Sequence, residues 1–245
     1  MYVGIALALA LVLVAPNFPP PEDPARAKAE ASALKPDPSW KSLGRSLWFD
    51  PKAKKAILRA RVVLREGYLE HFMCSKGTKE HEAILATDAV PHEIHACLLL
   101  TGAKPGHTVR FLPKFQPPTG DVIAIDLSWQ QDGQVRVADA RQWVMDEKAK
   151  APLAIDWVFA GSELYEDPAT KKPVYAADEG DLFTVANFGN AILDLPIASS
   201  AEDANRAFVT NTEKIPPVGT EVFVTLGPRL AKPTVKPAPR PALKQ

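Results

Sequence analysis

Half of the chain's 24 prolines are crowded into its two flanks, seven between Pro16 and Pro38 and five between Pro228 and Pro241. Proline has no amide hydrogen and a locked φ, so such stretches cannot enter helix interiors or central strands. That leaves a body of about 190 residues, the usual size of a single domain. Apolar residues at 46% and charged residues at 24% let this body bury an ordinary core. Lys+Arg and Asp+Glu balance at 29 each, so the basic excess that supplies most nucleic-acid affinity is missing. No nucleic-acid partner is expected.

Ahead of the proline-rich flank, residues 2–15 read YVGIALALALVLVA without interruption. As a helix this run spans about 21 Å, short of a hydrocarbon core of about 30 Å. The length fits the apolar region of a secretory signal peptide. No Lys or Arg precedes it and no clean A-x-A site follows it directly, so an uncleaved N-terminal membrane anchor is the second reading. Both place the chain outside the cytoplasm, in the periplasm or cell envelope or secreted. Residues 16–42 are expected to form a Pro/Ala-rich linker, because they cannot bury enough apolar area to offset their ordering entropy. The folded domain is expected over residues 43–228. A basic, proline-rich, disordered tail should follow at residues 229–245. Its cations, Arg229, Lys232, Lys236, Arg240 and Lys244, suit weak contact with anionic surfaces.

Within the body, SLWFD reads as a short strand, and AILRARVVL alternates Ile57, Arg59 and Arg61 against Leu58, Ala60 and Val62. A turn at Glu66-Gly67 then predicts a hairpin into YLEHFMC. Two short helices are expected next. KEHEAILA would be capped by Thr78, with Glu80 and Glu82 in its first turn, and PHEIHACLLL would be closed by Gly102. From Val109 onward, runs rich in Val, Ile, Phe and Trp alternate with Pro, Gly and Asp turns. Ser199-x-x-Glu202 is a capping box that predicts a third short helix over AEDANRAF. Strand after strand at close spacing favours antiparallel pairing. The expected class is therefore α+β: a mainly antiparallel β-sheet with two or three short helices packed on it.

All five histidines and both cysteines fall between Tyr68 and His107. Zinc and iron sites want three or four imidazole, thiolate or carboxylate ligands, often two on one helix face. His92 and His95 stand at that i, i+3 spacing. His71 or His81 would complete the set, with Glu70 or Glu82 as a further ligand or as general base. The alternative is a set of hydrogen-bonded or surface histidines, since H-x-x-H by itself matches no protease signature. Cys74 and Cys97 likewise admit two readings, a disulfide tying a strand to a helix or two buried thiols. The acidic run Glu163, Glu166, Asp167, Asp178, Glu179 and Asp181 lacks calcium-loop spacing and reads as a solvated hairpin. No phosphate-binding loop, dinucleotide fingerprint or nucleophile elbow is present.

The segments EGYLEHFMCSKGTKEHEAIL, HACLLLTGAKPG and DWVFAGSELYEDPATKKPVYAADEGD resemble the YdjY-domain family of exported bacterial proteins. The resemblance runs from about residue 43 to 228, and Glu70, His81 and Glu82 fall on its motif. It implies a shared fold and an extracytoplasmic location. The iron–sulfur character ascribed to the family's namesake needs several thiolates. With two cysteines and no C-x-x-C, no Fe–S cluster is expected here. Two functional expectations follow. The first is a non-enzymatic extracytoplasmic binding or envelope-associated module. The second is a zinc- or iron-binding protein or metal-dependent enzyme using the His/Glu cluster.

Overall fold

The computed structural model describes residues 34–199 and 207–229. The expected leader at residues 1–15, residues 16–33 of the linker, residues 230–245 of the tail and residues 200–206, which hold most of the helix expected over AEDANRAF, lie outside them; Phe208, the last residue of that run, is in a strand.

Sixteen strands are found among the described residues. They are β1 (Lys41–Gly44), β2 (Leu47–Asp50), β3 (Lys55–Val62), β4 (His71–Ser75), β5 (Ala83–Thr87), β6 (Val122–Gln131), β7 (Gln134–Asp139) and β8 (Val144–Asp146). These are followed by β9 (Ala151–Pro152), β10 (Trp157–Phe159), β11 (Leu164–Glu166), β12 (Pro173–Tyr175), β13 (Asp181–Thr184), β14 (Leu193–Asp194), β15 (Phe208–Thr210) and β16 (Glu221–Pro228). One α-helix, α1 (Pro91–Leu100), accompanies them.

The main sheet runs β3-β16-β6-β10-β14-β13-β4-β5, and β5 pairs back onto β3. Eight strands thus close into a barrel, which removes the open edges a flat sheet would expose. All neighbours are antiparallel except β13–β14 and β4–β5. Strands β1 and β2 extend the sheet outward from β3, and β7 folds back on β6.

Register explains why distant segments meet. On one face Val224 sits between Leu58 and Leu127, Leu226 between Ala56 and Ile125, and Val222 between Ala60 and Trp129. All nine residues are buried in a single core cluster. The two-residue alternation read in AILRARVVL therefore holds, with Leu58, Ala60 and Val62 inward. Its partner is β16, more than 150 residues away, while β2 and β5 take the other edge. The hairpin expected between β3 and β4 does not form. The chain after Gly67 pairs instead with β15, through Leu69 N–H to Phe208 O at 3.0 Å.

The α+β expectation fails at KEHEAILA. Only Glu80–Glu82 makes a single 3-10 turn, and Ala83–Thr87 is β5, the strand that closes the barrel. Every residue of β5 is buried. A strand covered on both faces loses its alternation and reads as a plain apolar run, which periodicity cannot tell from a buried helix. The result is a β-barrel carrying one helix. That helix is where the sequence placed it: Pro91 occupies the first turn, and Gly102 follows Thr101 with φ of 91°. Ile94, Cys97 and Leu98 are its buried stripe. No helix among the described residues is long and apolar enough to cross a membrane. Strand β1 starts just before the expected domain boundary, and Trp40 packs edge-on to Phe223 at 5.4 Å between ring centroids.

Candidate metal centre beside the barrel wall

His71 opens β4 between the antiparallel β13 and the parallel β5. Its side chain is completely buried. Nε2 lies 2.7 Å from Oδ1 of Asp181, the first residue of β13. Lys79 Nζ donates to the same oxygen, and Asn190 Nδ2 to the other. Burial pushes the Asp181 carboxyl upward, but the hydrogen bonds from His71 and Lys79 outweigh it and hold the group at about 2. An ionised Asp181 therefore orients the imidazole with its proton on Nε2. Nδ1 is buried and has no hydrogen-bond partner. Phe188 stacks on the ring at 4.9 Å and 28° and fixes its plane.

Beside this histidine stand two carboxylates. One ligand atom each from Glu70, His71 and Glu82 can be chosen such that all three lie within 4.8 Å of one another. Local structure brings them there. Glu70 N–H donates to Glu82 O at 3.2 Å, joining the starts of the parallel strands β4 and β5. The 3-10 turn then carries Glu82 round to the same rim. Glu70 is buried, and the Glu82 side chain is 15% exposed. An imidazole with two carboxylates is a donor set suited to zinc or ferrous iron. Asp181 stands where a metal-bound histidine would commonly carry an outer carboxylate.

The other histidines do not join this set. His81 is largely exposed, with Nε2 3.6 Å from Glu82 Oε2, so it stands at the rim. His92 is exposed and faces Asp178 at 3.4 Å. His95 Nδ1 donates to Tyr175 Oη at 2.8 Å, while that hydroxyl donates to Gly161 O. Burial lowers the His95 pKa, and its ring packs edge-on against Phe159. The i, i+3 pair on α1 thus faces the Tyr175–Asp178 segment, and neither histidine joins the Glu70–His71–Glu82 cluster.

The disulfide reading is also corrected. Cys74 and Cys97 are both free and buried. Cys74 packs with Ala83 and Ala86, whereas Cys97 lies in the main core and its Sγ approaches Trp48 O at 3.7 Å. Burial pushes the thiols up to about 11 and about 12, so neither is a thiolate near neutrality. The acidic run divides as well. Asp167 caps the β11–β12 turn through Ala169 and Thr170, as a solvated hairpin should. Asp181, read with that hairpin, is instead the buried partner of His71. Nothing in the spacing of those acids distinguished it.

The fold is a closed β-barrel whose wall brings Glu70, His71 and Glu82 together. The chain belongs to the YdjY domain family, whose model matches residues 47–227. No curated protein and no solved structure matches it.

Proposed function

We propose that this YdjY-domain chain is an extracytoplasmic binding module that holds one divalent transition-metal ion, zinc or ferrous iron, through Glu70, His71 and Glu82. The observation that carries this reading is the convergence of three ligand atoms around an imidazole whose Nε2 is held by Asp181. A divalent ion matches the charge of two carboxylates, and a buried histidine favours retention over exchange. Burial of His71 and Glu70 suits a closed, holding site more than a catalytic one, which keeps an open position for substrate. Location outside the cytoplasm rests on the apolar run at residues 2–15 and the proline-rich stretch after it.

Elemental analysis of protein purified from its native compartment tests the ion, paired with zinc titration of the metal-free chain. One equivalent of metal and a rise in Tm on loading are expected, both lost in His71→Ala. A metal-free preparation whose Tm responds to neither zinc nor chelator overturns the reading. Cell fractionation tests the location, and wild-type chain found only in the cytosol rejects it.

A further inference from the structure

Between the helix and β6 the chain makes a small pinned hairpin. Arg110 N–H donates to Gln116 O at 3.0 Å, and Gln116 N–H donates to Arg110 O at 2.8 Å. The first of the runs that begin at Val109, VRFLPKF, forms only this isolated bridge and no strand. The base of the hairpin is tied to the barrel: Val109 is buried, and Thr108 Oγ1 donates to Glu163 at 3.0 Å. Gly106 N–H reaches Phe159 O on β10 at 2.9 Å.

The tip is the reverse of its base. Leu112 is 86% exposed and Phe111 57% exposed, the former the most exposed large apolar side chain among the described residues. Isolated exposed apolar groups need no explanation, but adjacent ones at the apex of a braced turn mark a contact surface. Arg110 and Lys114 flank them, and no acidic residue occurs from Thr108 to Gly120. Pro113, Pro117 and Pro118 stiffen the loop, so little further conformational freedom is lost when the tip is immobilised.

From this we propose that the Arg110–Gln116 hairpin is a wedge for anionic lipid surfaces. Phe111 and Leu112 would enter the boundary between headgroups and acyl chains, and Arg110 and Lys114 would stay among the phosphates. Apolar tip with cationic collar is the pairing that interfacial binders use. Each half reinforces the other, because cations alone are screened by salt and a short apolar tip alone partitions weakly. A second membrane signal, the apolar run at residues 2–15, would raise the local concentration of membrane around the wedge. The inference is independent of the metal site.

The test places an environment-sensitive fluorophore on a Leu112→Cys variant of the full chain. Both native cysteines are buried, so labelling is selective for the tip. Because the readout is local, membrane binding through residues 2–15 does not by itself produce it. Vesicles of phosphatidylserine and phosphatidylcholine should shift the emission to the blue, about tenfold more effectively than phosphatidylcholine alone. The preference should collapse in 0.5 M salt and in an Arg110→Ser/Lys114→Ser background. An unlabelled Phe111→Ser/Leu112→Ser variant should cosediment with these vesicles less than wild type. An unshifted probe on vesicle-bound protein overturns the proposal. So does a shift that follows protein concentration without lipid, which would assign the tip to contact between proteins.

Discussion

His71 and Asp181, 110 residues apart in sequence, meet at 2.7 Å across neighbouring strands and set the chemistry of the barrel wall. Each is almost fully enclosed, so the pair needs the fold to exist and the fold must accommodate the pair. Lys79 supplies the balancing charge, because a buried carboxylate is tolerated only when paired and hydrogen-bonded.

Removing the outer carboxylate should weaken the ion rather than abolish its site. Asp181→Asn can still hydrogen-bond to His71, but it no longer stabilises the imidazole electrostatically. Zinc affinity should fall about 10–100-fold by isothermal titration. Glu82→Gln removes a direct ligand and should cost more. His81→Ala, altering only the exposed rim, should cost less than either. Equal effects from all three would place the ion elsewhere.

Acid should destabilise the protein through Asp181. Its folded pKa of about 2 lies below an unfolded value near 3.9, so the stabilisation is complete above pH 4 and lost as pH falls toward 2. The loss amounts to roughly 2 kcal/mol. Urea midpoints at pH 4.5 and pH 2.5 should converge between wild type and Asp181→Asn at the lower pH.

Asp194 acts in the opposite sense. Burial pushes it up to about 7, against hydrogen bonds from Thr184, Leu195 N–H and Asn187 that favour the carboxylate. Between the unfolded pKa and 7 the native state holds the extra proton, so stability falls as pH rises through that window. The fall should be up to a few kcal/mol. Asp194→Asn should flatten the slope of Tm against pH between 4.5 and 7.5, whatever it does to the absolute value. An unchanged slope would mean the carboxyl is already ionised throughout.

The two thiols should be silent in the native protein. A thiol reagent at pH 7.5 should label neither Cys74 nor Cys97 until denaturant is added, then label both. Oxidised and reduced samples should migrate alike on gels. A shift removed by reductant would restore the disulfide.

Trp157 should be among the costliest residues to truncate. Its ring is buried against Phe72 at 5.3 Å, and Nε1 donates to Thr184 O at 2.8 Å, linking β10 to β13. Trp157→Ala should lose about 3–5 kcal/mol in urea unfolding. A loss under 1 kcal/mol would show that the core closes over the gap.

Local chemistry was legible in the sequence by itself. The alternation Leu58, Ala60, Val62 identified a strand with one core face, because side chains on a strand repeat every two residues. Pro91 and Gly102 bracketed the helix through backbone requirements that belong to those residues alone. Family membership was carried by contiguous motifs, and Glu70, His71 and Glu82 were all read as ligand candidates from residue type. What only the tertiary structure decided was who meets whom. Barrel closure turned Ala83–Thr87 into a strand, since pairing on both edges outweighs a weak helical preference. It brought Glu82 to His71 while leaving His92 and His95 elsewhere. It also drew Asp181 out of an acidic surface run into the wall. Spacing along a chain constrains neighbours within a turn or two, whereas a contact across 110 residues depends on the register of every strand between.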